Sequence, residues 1–510
     1  MKVRSNILKL CLFATGLSGI VAEYVLSTLA SYLLGDSVRQ WTLIVSIMLF
    51  AMGLGSRLSK FFDRRLLEKF MIIEFLLSIF TSFSSLMAYS SASFSLYPGI
   101  LIYTLSIVIG LLIGMEIPLV IRINNDFENL KLNVSSVLEN DYYGSLLGGV
   151  FFAFIGLPFL GLTYTPFILG LINLSVAGVL LVFLWKSLES NTRKWLMSSG
   201  IFVFLMIAVG INFAQTIIQI GEQRRYEDKV ILSTQTRYQQ ITLTQSKSDD
   251  FLYINGNQQL STIDDAHYHE PLVHPVMEMA TNPESVLVLG GGDGCAVREI
   301  IKYKGVKEII LVDLDPKMTQ LAKEHPVLTA INNFALDDSR VKIVNQDAYT
   351  YLEETKKYFD VIIADFPDPK SIELSRLYSQ EFYLLCKKHL RPMGYLITQA
   401  TSPYYAENVF LSINQTMQES GFNTVPLHNL VLTLGEWGWI VGSPTISSDK
   451  LKNQLQRIYF NVPTAWINNE AMTHLTSFGK NVDFSKKVKI NKVHDPVLFR
   501  YYKNSQWNFY

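Results

Sequence analysis

Acidic residues follow the ends of four successive predicted strands in the second half of the chain. The strands cover 285–291, 308–312, 341–344 and 360–364, and the acids that follow them are Asp293, Asp313, Asp315, Asp347, Asp365 and Asp368. Because the carboxyl ends of parallel strands meet at one edge of a sheet, these carboxylates are expected to share a cleft. One such aspartate more often caps a helix or a turn, but four equivalent positions favour a site that binds a positively charged ligand.

A glycine-rich turn, Gly290–Gly294, joins the first of these strands to a predicted helix over 296–304. This order brings a ligand close to the backbone at the carboxyl edge of an α/β sheet. Asp313 follows the glycines by about 20 residues, a spacing at which an acid bonds ribose hydroxyls, and Asp347 is placed to contact an adenine amino group. The acids would repel a pyrophosphate, so the pattern favours a positively charged nucleoside such as an S-adenosyl sulfonium.

A small β region precedes this core, with a hairpin turn at Asn255-Gly256 and predicted strands at 230–232, 239–244 and 251–254. A polar cluster at 264–271 then leads into a helix and contains His267 and His269. A metal site would need a further group of ligands. The sequence does not offer one, so no bound metal is predicted.

The first 215 residues have a different composition from the rest. Of the 510 residues 49% are hydrophobic and 17% charged, and the mean hydropathy is +0.22; soluble domains carry about 25% charged residues. A bilayer is crossed by about 20 apolar residues, which makes a lipid bilayer an expected partner. The sequence contains seven such stretches, at 7–33, 40–58, 70–91, 97–121, 141–161, 163–185 and 196–214. Lys and Arg (44) balance Asp and Glu (44), which argues against nucleic-acid binding.

The distribution of basic residues predicts an orientation for these spans. Alternate loops on one side carry Lys2, Arg4, Lys9, Arg57, Lys60, Arg64, Arg65, Lys69, Arg122, Lys131, Lys186, Arg193 and Lys194, and the other side carries Arg39. This bias puts the N-terminus in the cytoplasm, and seven spans then put residues 216–510 outside. Synthesis of an S-adenosyl donor in the cytoplasm favours the opposite location, and we expect residues 216–510 to face the cytoplasm although the charge bias points outside.

Three acids lie within the predicted spans, Glu23, Glu74 and Glu116. Such residues face a bundle interior and often mark a pathway. The sequence leaves two interpretations open, a helix-packing role and a site for a cation such as a polyamine.

Residues from about 230 to 445 resemble the polyamine aminopropyltransferases, or spermidine synthases, and the first half resembles that of their membrane-bound bacterial members. The matching motifs run in order through Tyr238-Gln239, Asn255-Gly256, Gln259, Asp265, Tyr268-His269-Glu270, Gly290–Gly294, Asp313, Asp315, Gln346-Asp347-Ala348, Asp365, Asp368-Pro369, Leu377-Tyr378-Ser379, Phe382-Tyr383 and Trp437-Gly438. The resemblance implies aminopropyl transfer from decarboxylated S-adenosylmethionine, a co-substrate rather than a tightly bound cofactor. The implied acceptor is a polyamine, with putrescine converted to spermidine.

The resemblance also implies roles for single residues. Asp365 would be the base that takes a proton from the acceptor amine, and Asp368 would hold the cationic acceptor. Donor contacts would come from Gln239, Asp293, Asp313, Asp347 and Ala348, and polyamine contacts from His269, Asp293 and Gln259.

The sequence departs from the family pattern on the acceptor side, at Phe366-Pro367, at Lys370-Ser371-Ile372 and at 432–436 before Trp437. A methyltransferase shares the donor nucleoside but must accept the donor carboxylate, which clustered acids disfavour. A non-catalytic polyamine sensor or transporter stays open, as does a homodimer.

The predicted organisation is a multi-pass α-helical membrane domain at 1–215 and a small β region at 216–275. An α/β Rossmann-like domain of the methyltransferase type follows at 276–445, and a C-terminal helical segment at 446–510.

Overall fold

The computed structural model describes residues 2–35, 37–94, 97–125, 127, 129–480 and 482–505. The chain divides into two compact units, Met1–Arg237 and Tyr238–Tyr510. Residues 216–225, which the sequence predicts as part of the small β region, instead continue the last helix of the first unit.

Seven long α-helices make up most of the described part of the first unit. Their bounds are Lys2–Leu34 (α1), Ser37–Ser59 (α2), Leu66–Phe94 (α3), Pro98–Asn124 (α4), Leu130–Phe151 (α5), Gly161–Phe183 (α6) and Ser190–Arg225 (α7). A π-helix at Phe152–Leu160 joins α5 to α6, a 3-10 turn at Trp185–Ser187 precedes α7, and strand β1 follows at Lys229–Gln235. Glu23, Glu74 and Glu116 are all buried inside this bundle.

Contacts at the helix ends fix the directions of α1, α3 and α7. Tyr32 Oη donates to Glu222 Oε1 (3.3 Å), and the ring of Tyr32 lies 6.0 Å from that of Tyr89, so the C-terminal ends of the three helices meet. At the opposite end Arg65 Nη2 donates to Glu189 Oε2 (3.0 Å), which joins the beginnings of α3 and α7. The chain therefore enters the bundle at one end and leaves it at the other.

The segment from α5 to α6 is helical across the boundary between the two predicted spans 141–161 and 163–185. By length and apolar composition, six helical stretches of the described chain could cross a membrane, and one is the 54-residue stretch Leu130–Phe183. The π-helix at Phe152–Leu160 lies inside the predicted span 141–161, and its nine residues are apolar or glycine and proline throughout. Gly161 nevertheless turns the chain there, with φ of 63° and ψ of −172°.

The two limbs of this stretch pack on different helices. Ser85 Oγ donates to Leu162 O and Ser78 Oγ to Gly170 O (both 2.6 Å), so α6 runs antiparallel to α3. A Cβ on Gly144 would lie 2.0 Å from Phe13 O, so α5 is held against α1 by the close approach that glycine allows.

The second unit opens with three antiparallel strands, Gln240–Ser246 (β2), Asp249–Ile254 (β3) and Asn257–Ser261 (β4). The predicted hairpin turn between β3 and β4 is confirmed, because Asn255 and Gly256 both have positive φ (51° and 76°).

A seven-stranded sheet forms the core of this unit. Its strands are Ser285–Gly290 (β5), Glu308–Asp313 (β6), Val341–Asn345 (β7), Phe359–Asp365 (β8), Leu390–Gln399 (β9), Asn423–Val431 (β10) and Gly435–Ser443 (β11), in the spatial order β10-β11-β9-β8-β5-β6-β7. Strands β5 to β9 pair in parallel and β10 and β11 are antiparallel. This arrangement confirms the predicted Rossmann-like fold.

Helices cover both faces of this sheet. They are Asp265–Met279 (α8), Cys295–Ile300 (α9), Pro316–Glu324 (α10), Pro326–Ile331 (α11), Ala348–Glu354 (α12), Ile372–Arg376 (α13), Gln380–His389 (α14), Glu407–Glu419 (α15), Ser448–Leu455 (α16), Asn469–Leu475 (α17) and Val497–Lys503 (α18), with a 3-10 turn at Ala335–Asp337. Along β5, Val286 and Val288 enter one apolar core while Leu287 and Leu289 enter the other. The fully apolar strand is therefore buried on both sides.

Candidate active site

A cavity of about 940 Å³, counting its part open to solvent, lies at the carboxyl ends of β5, β6 and β8. A volume of this size accommodates a nucleoside with an attached chain. Eight of the predicted site residues line it: Gln239, Gln259, His269, Asp293, Asp313, Asp347, Ala348 and Asp365. The structure thus brings together carboxylates that the sequence separates by as many as 72 positions, between Asp293 and Asp365.

The glycine turn is what lets the cavity reach the strand ends. A Cβ on Gly290 would lie 2.1 Å from Asp365 O, and one on Gly292 would lie 2.5 Å from Asp313 Oδ2. Gly290 and Gly291 also have positive φ (78° and 65°), which side-chain-bearing residues rarely adopt. The turn therefore packs directly against both acids and leaves no room for any larger residue.

Asp365, at the end of β8, is the acid at the centre of the cavity. Its Oδ1 accepts a hydrogen bond of 2.7 Å from Tyr268 Oη. Burial and the neighbouring Asp293 raise the pKa of Asp365 to about 6, against the opposing effects of His269 and the tyrosine hydroxyl. At neutral pH the group is ionised but still basic enough to accept a proton.

His269 lies beside Asp365 and is held by a chain of contacts. Its Nδ1 lies 2.7 Å from Asp265 Oδ1, and Arg298 Nη2 donates to Asp265 Oδ2 (2.5 Å). Burial lowers the pKa of His269, but Asp265 outweighs burial and raises it to about 9. One ligand atom from each of His269, Asp293 and Asp365 lies within 4.8 Å of the others. A cationic imidazole thus sits between acids in this corner.

Asp313 ends β6 and faces the glycine turn. Its Oδ1 accepts from Asp315 N (2.9 Å), and Asp315 in turn caps α10 by accepting from Lys317 N (3.0 Å). Burial raises the pKa of Asp313 to about 6, although the hydrogen bond from the backbone of Asp315 lowers it. Both residues line the cavity, and Asp315 is in addition the cap of α10.

Asp347 is a helix cap that also lies at the cavity. It caps α12, because its Oδ1 accepts from Thr350 N (3.0 Å), and it also lines the cavity. Its Oδ2 accepts from Arg376 Nη2 (2.7 Å). The adenine contact expected of Asp347 stays a prediction.

Asp368 is the one predicted site residue that is not in the cavity lining. It is buried (7% exposed), and its Oδ2 accepts a hydrogen bond of 2.9 Å from Tyr502 Oη in α18. Its role as the acceptor-holding acid stays a prediction.

Several residues of this region carry no assigned role in the sequence. Met318, Leu374 and Leu377 add apolar surface to the cavity, and Tyr378 Oη donates to Phe366 O (3.2 Å) and Pro367 O (3.0 Å) below it. Tyr268 belongs to a recognised motif, but its bond to Asp365 depends on how α8 packs, which no local pattern encodes.

Residues 265–454 match the Spermine/spermidine synthase domain family. A polyamine aminopropyltransferase of Oceanobacillus iheyensis is 39% identical over 500 residues, which cover 96% of each chain, and polyamine aminopropyltransferase 2 of Aquifex aeolicus is 41% identical over 98% of this chain and 99% of its own. The chain belongs to the polyamine aminopropyltransferase family. It is an enzyme of the transferase class, and the identity extends through both units.

A further family member, from Leptospira interrogans, is 38% identical and covers 96% of both chains. A crystal structure of a spermidine synthase with the transition state analogue AdoDATO aligns to 49% of this chain and 86% of its own, with 26% identity and a TM-score of 0.46.

Proposed function

We propose that this enzyme transfers the aminopropyl group of decarboxylated S-adenosylmethionine to putrescine and releases methylthioadenosine and spermidine. The observation that carries the proposal is the grouping of ligand atoms of Asp293, Asp365 and His269 within 4.8 Å of one another, in the same cavity as Asp313. Both substrates are cations without a carboxylate, so a cavity lined by aspartates suits them.

The reaction requires one proton transfer and one substitution. The acceptor amine is protonated in water, and Asp365 takes its proton so that the nitrogen lone pair is free. The nitrogen then attacks the methylene next to the sulfonium. A C–N bond forms, the C–S bond breaks, and its electron pair stays on the sulfur of methylthioadenosine. The cavity contributes by holding both substrates in line.

The cavity residues divide into donor and acceptor groups. Gln239, Asp313, Asp347 and Ala348 surround the nucleoside, while His269, Asp293 and Gln259 surround the aminopropyl chain. Asp368 receives the second ammonium of the acceptor. A methyltransferase would place the carboxylate of its donor among these aspartates, which their charge opposes.

Product analysis tests this function. Purified enzyme is incubated with decarboxylated S-adenosylmethionine and with putrescine, cadaverine or spermidine, and methylthioadenosine is quantified. Release that requires an amine is the expected result. Consumption of S-adenosylmethionine with methyl transfer would identify a methyltransferase, and binding without turnover of either donor would identify a sensor or transporter.

We also propose that the first unit is embedded in a lipid bilayer. Its helices expose large apolar side chains along their outer surface, among them Phe50 (68%), Leu146 (71%), Phe159 (81%), Val182 (70%) and Phe202 (61%). Lipid is the solvent that favours such a surface.

The orientation of the bundle follows from its ends. The basic loops surround the end that contains Lys2 and Arg65, and the chain leaves at the other end, where Tyr32 meets Glu222. The positive-inside rule puts the basic end in the cytoplasm, and residues after 237 then lie outside. This proposal opposes the expectation from cytoplasmic donor synthesis.

Protease protection on intact spheroplasts tests the orientation, with epitope tags at both ends of the chain. Loss of the C-terminal tag and protection of the N-terminal tag is the expected result. The reverse pattern would place the catalytic unit in the cytoplasm.

A further inference from the structure

The acid expected to hold the far end of the acceptor is closed off by a residue from the C-terminal helix. Tyr502 Oη donates to Asp368 Oδ2 (2.9 Å), while Asp368 Oδ1 is buried and makes no well-formed hydrogen bond with the described residues. The side chains of Thr401 and Gln399 lie close enough to lower the pKa of Asp368. Because Oδ1 still lacks a well-formed hydrogen bond, an ammonium that reaches it would be bound strongly. Oδ2 of the same carboxylate already accepts the hydrogen bond from Tyr502.

A second residue completes this closure. Lys370 Nζ lies 5.5 Å from the centroid of the Tyr502 ring and donates to Asn257 Oδ1 (2.7 Å). The wall beyond Asp368 thus consists of an aromatic ring and an ammonium group. A further ammonium from a longer amine would meet both the ring and a like charge there.

Helix α18 is held firmly enough to position this ring. Asn491, before the helix, donates from Nδ2 to Ser375 O (2.7 Å) and accepts at its backbone oxygen from Gln380 N (2.9 Å). Leu498 within the helix is fully buried in the core. These contacts tie α18 to α13 and α14, the helices that follow Asp368 in the chain. Tyr502 lies outside the matched domain at 265–454.

We propose that Tyr502 is a specificity-determining residue that, together with Lys370, ends the acceptor pocket at Asp368 and so selects diamines over longer polyamines. The inference rests on the proposed aminopropyl transfer. A diamine places one nitrogen at Asp365 and the other at Asp368 and extends no further. A triamine would have to displace the ring of Tyr502.

The test compares kcat/KM for spermidine and putrescine as acceptors in Tyr502→Ala and in the wild type. Truncation of the ring should raise the spermidine-to-putrescine ratio by about tenfold or more, the range in which pocket size discriminates substrates. The KM for the donor should not change. Tyr502→Phe keeps the ring and should keep the ratio within about threefold. Tyr501→Ala, on the same helix, is the matched control and should also leave the ratio unchanged.

The possible outcomes distinguish the role of Tyr502 from the proposed aminopropyl transfer. Wild-type turnover of putrescine with the same ratio in Tyr502→Ala would overturn the role of Tyr502 and leave the proposed function standing. Absence of methylthioadenosine release with any amine would overturn both. If Tyr502→Ala does not fold, Lys370→Ala tests the same wall, and an unchanged ratio there would contradict the proposal.

Discussion

Tyr268 donates a hydrogen bond of 2.7 Å to Asp365 across 97 positions of sequence. The tyrosine lies on α8 and the aspartate at the end of β8, so the bond joins the helix that closes the cavity to the strand that supplies its base. The hydroxyl stabilises the carboxylate form, while burial and Asp293 act against it. This balance sets the basicity of Asp365.

Replacement of Asp365 by asparagine should abolish turnover but keep donor binding. The amide has nearly the same shape but cannot accept the amine proton, and loss of a general base costs about 10²–10⁴-fold in rate. Steady-state release of methylthioadenosine measures the loss, and calorimetry measures donor affinity. Glu373→Gln, an exposed acid on the neighbouring α13, is the control and should behave as the wild type.

The dependence of rate on pH should change slope near pH 6. The raised pKa of Asp365, about 6, means that the carboxylate is present above this pH and is lost as the pH falls through it. The plot of log kcat/KM for the donor should therefore become steeper by about one unit below pH 6, since this quantity reports the free enzyme. A constant slope from pH 5 to pH 8 would argue against Asp365 as the base.

Removal of the tyrosine hydroxyl should move this break in the profile. The hydrogen bond from Tyr268 lowers the pKa of Asp365, so Tyr268→Phe should raise that pKa and shift the break to higher pH. Tyr459→Phe, at an exposed position (77%), provides the control and should leave the profile in place. A shift to lower pH in Tyr268→Phe would contradict the role given to the hydroxyl.

A methyl group on the glycine turn should impair donor binding. The Cβ of Gly292→Ala would lie 2.5 Å from Asp313 Oδ2, so the carboxylate must rotate away from the position proposed to contact the ribose. Loss of a hydrogen bond to a charged group corresponds to about tenfold or more in KM for the donor. The control is Gly305→Ala, where the nearest atom to the new methyl is Pro283 O at 4.0 Å. Equal KM values for the two variants would show that Asp313 does not contact the donor.

Glu270 should matter for stability rather than for chemistry. Its buried carboxylate accepts from the backbone N–H groups of Ala465 (2.5 Å), Trp466 (2.8 Å) and Ile467 (2.7 Å). Glu270→Gln replaces one acceptor by a donor and should destabilise this unit by about 2 kcal/mol, which lowers Tm by about 5 °C. The exposed Glu284→Gln, which loses only a surface ion pair with Lys307, should change Tm by under about 2 °C.

Local features of the site could be predicted from the sequence, while features that depend on packing could not. The glycine turn and the aspartates after β5, β6 and β8 each come directly after a predicted strand, so a stretch of some 20 residues is enough to predict them. Each lies at the carboxyl end of a parallel strand, as the topology requires. The bond between Tyr268 and Asp365 depends on the docking of α8, and the contact between Tyr502 and Asp368 joins residues 134 positions apart.

In the first unit, too, local features could be predicted from the sequence and features that depend on packing could not. Apolar length predicts helices but not their joints, so the π-helix at Phe152–Leu160 was missed, since its composition matches that of a span. Residues 216–225 contain Glu222, Gln223, Arg224 and Arg225 and look like the end of a membrane span. They continue as helix because Glu222 and Arg225 bond to Tyr32 of α1.

Release of methylthioadenosine from decarboxylated S-adenosylmethionine, measured with and without putrescine in the wild type and in Asp365→Asn, tests the central claim most directly. The expected result is release that requires putrescine and falls at least about a hundredfold in Asp365→Asn. Release that is independent of the amine, or undiminished in Asp365→Asn, would contradict the assignment of Asp365 as the base for aminopropyl transfer.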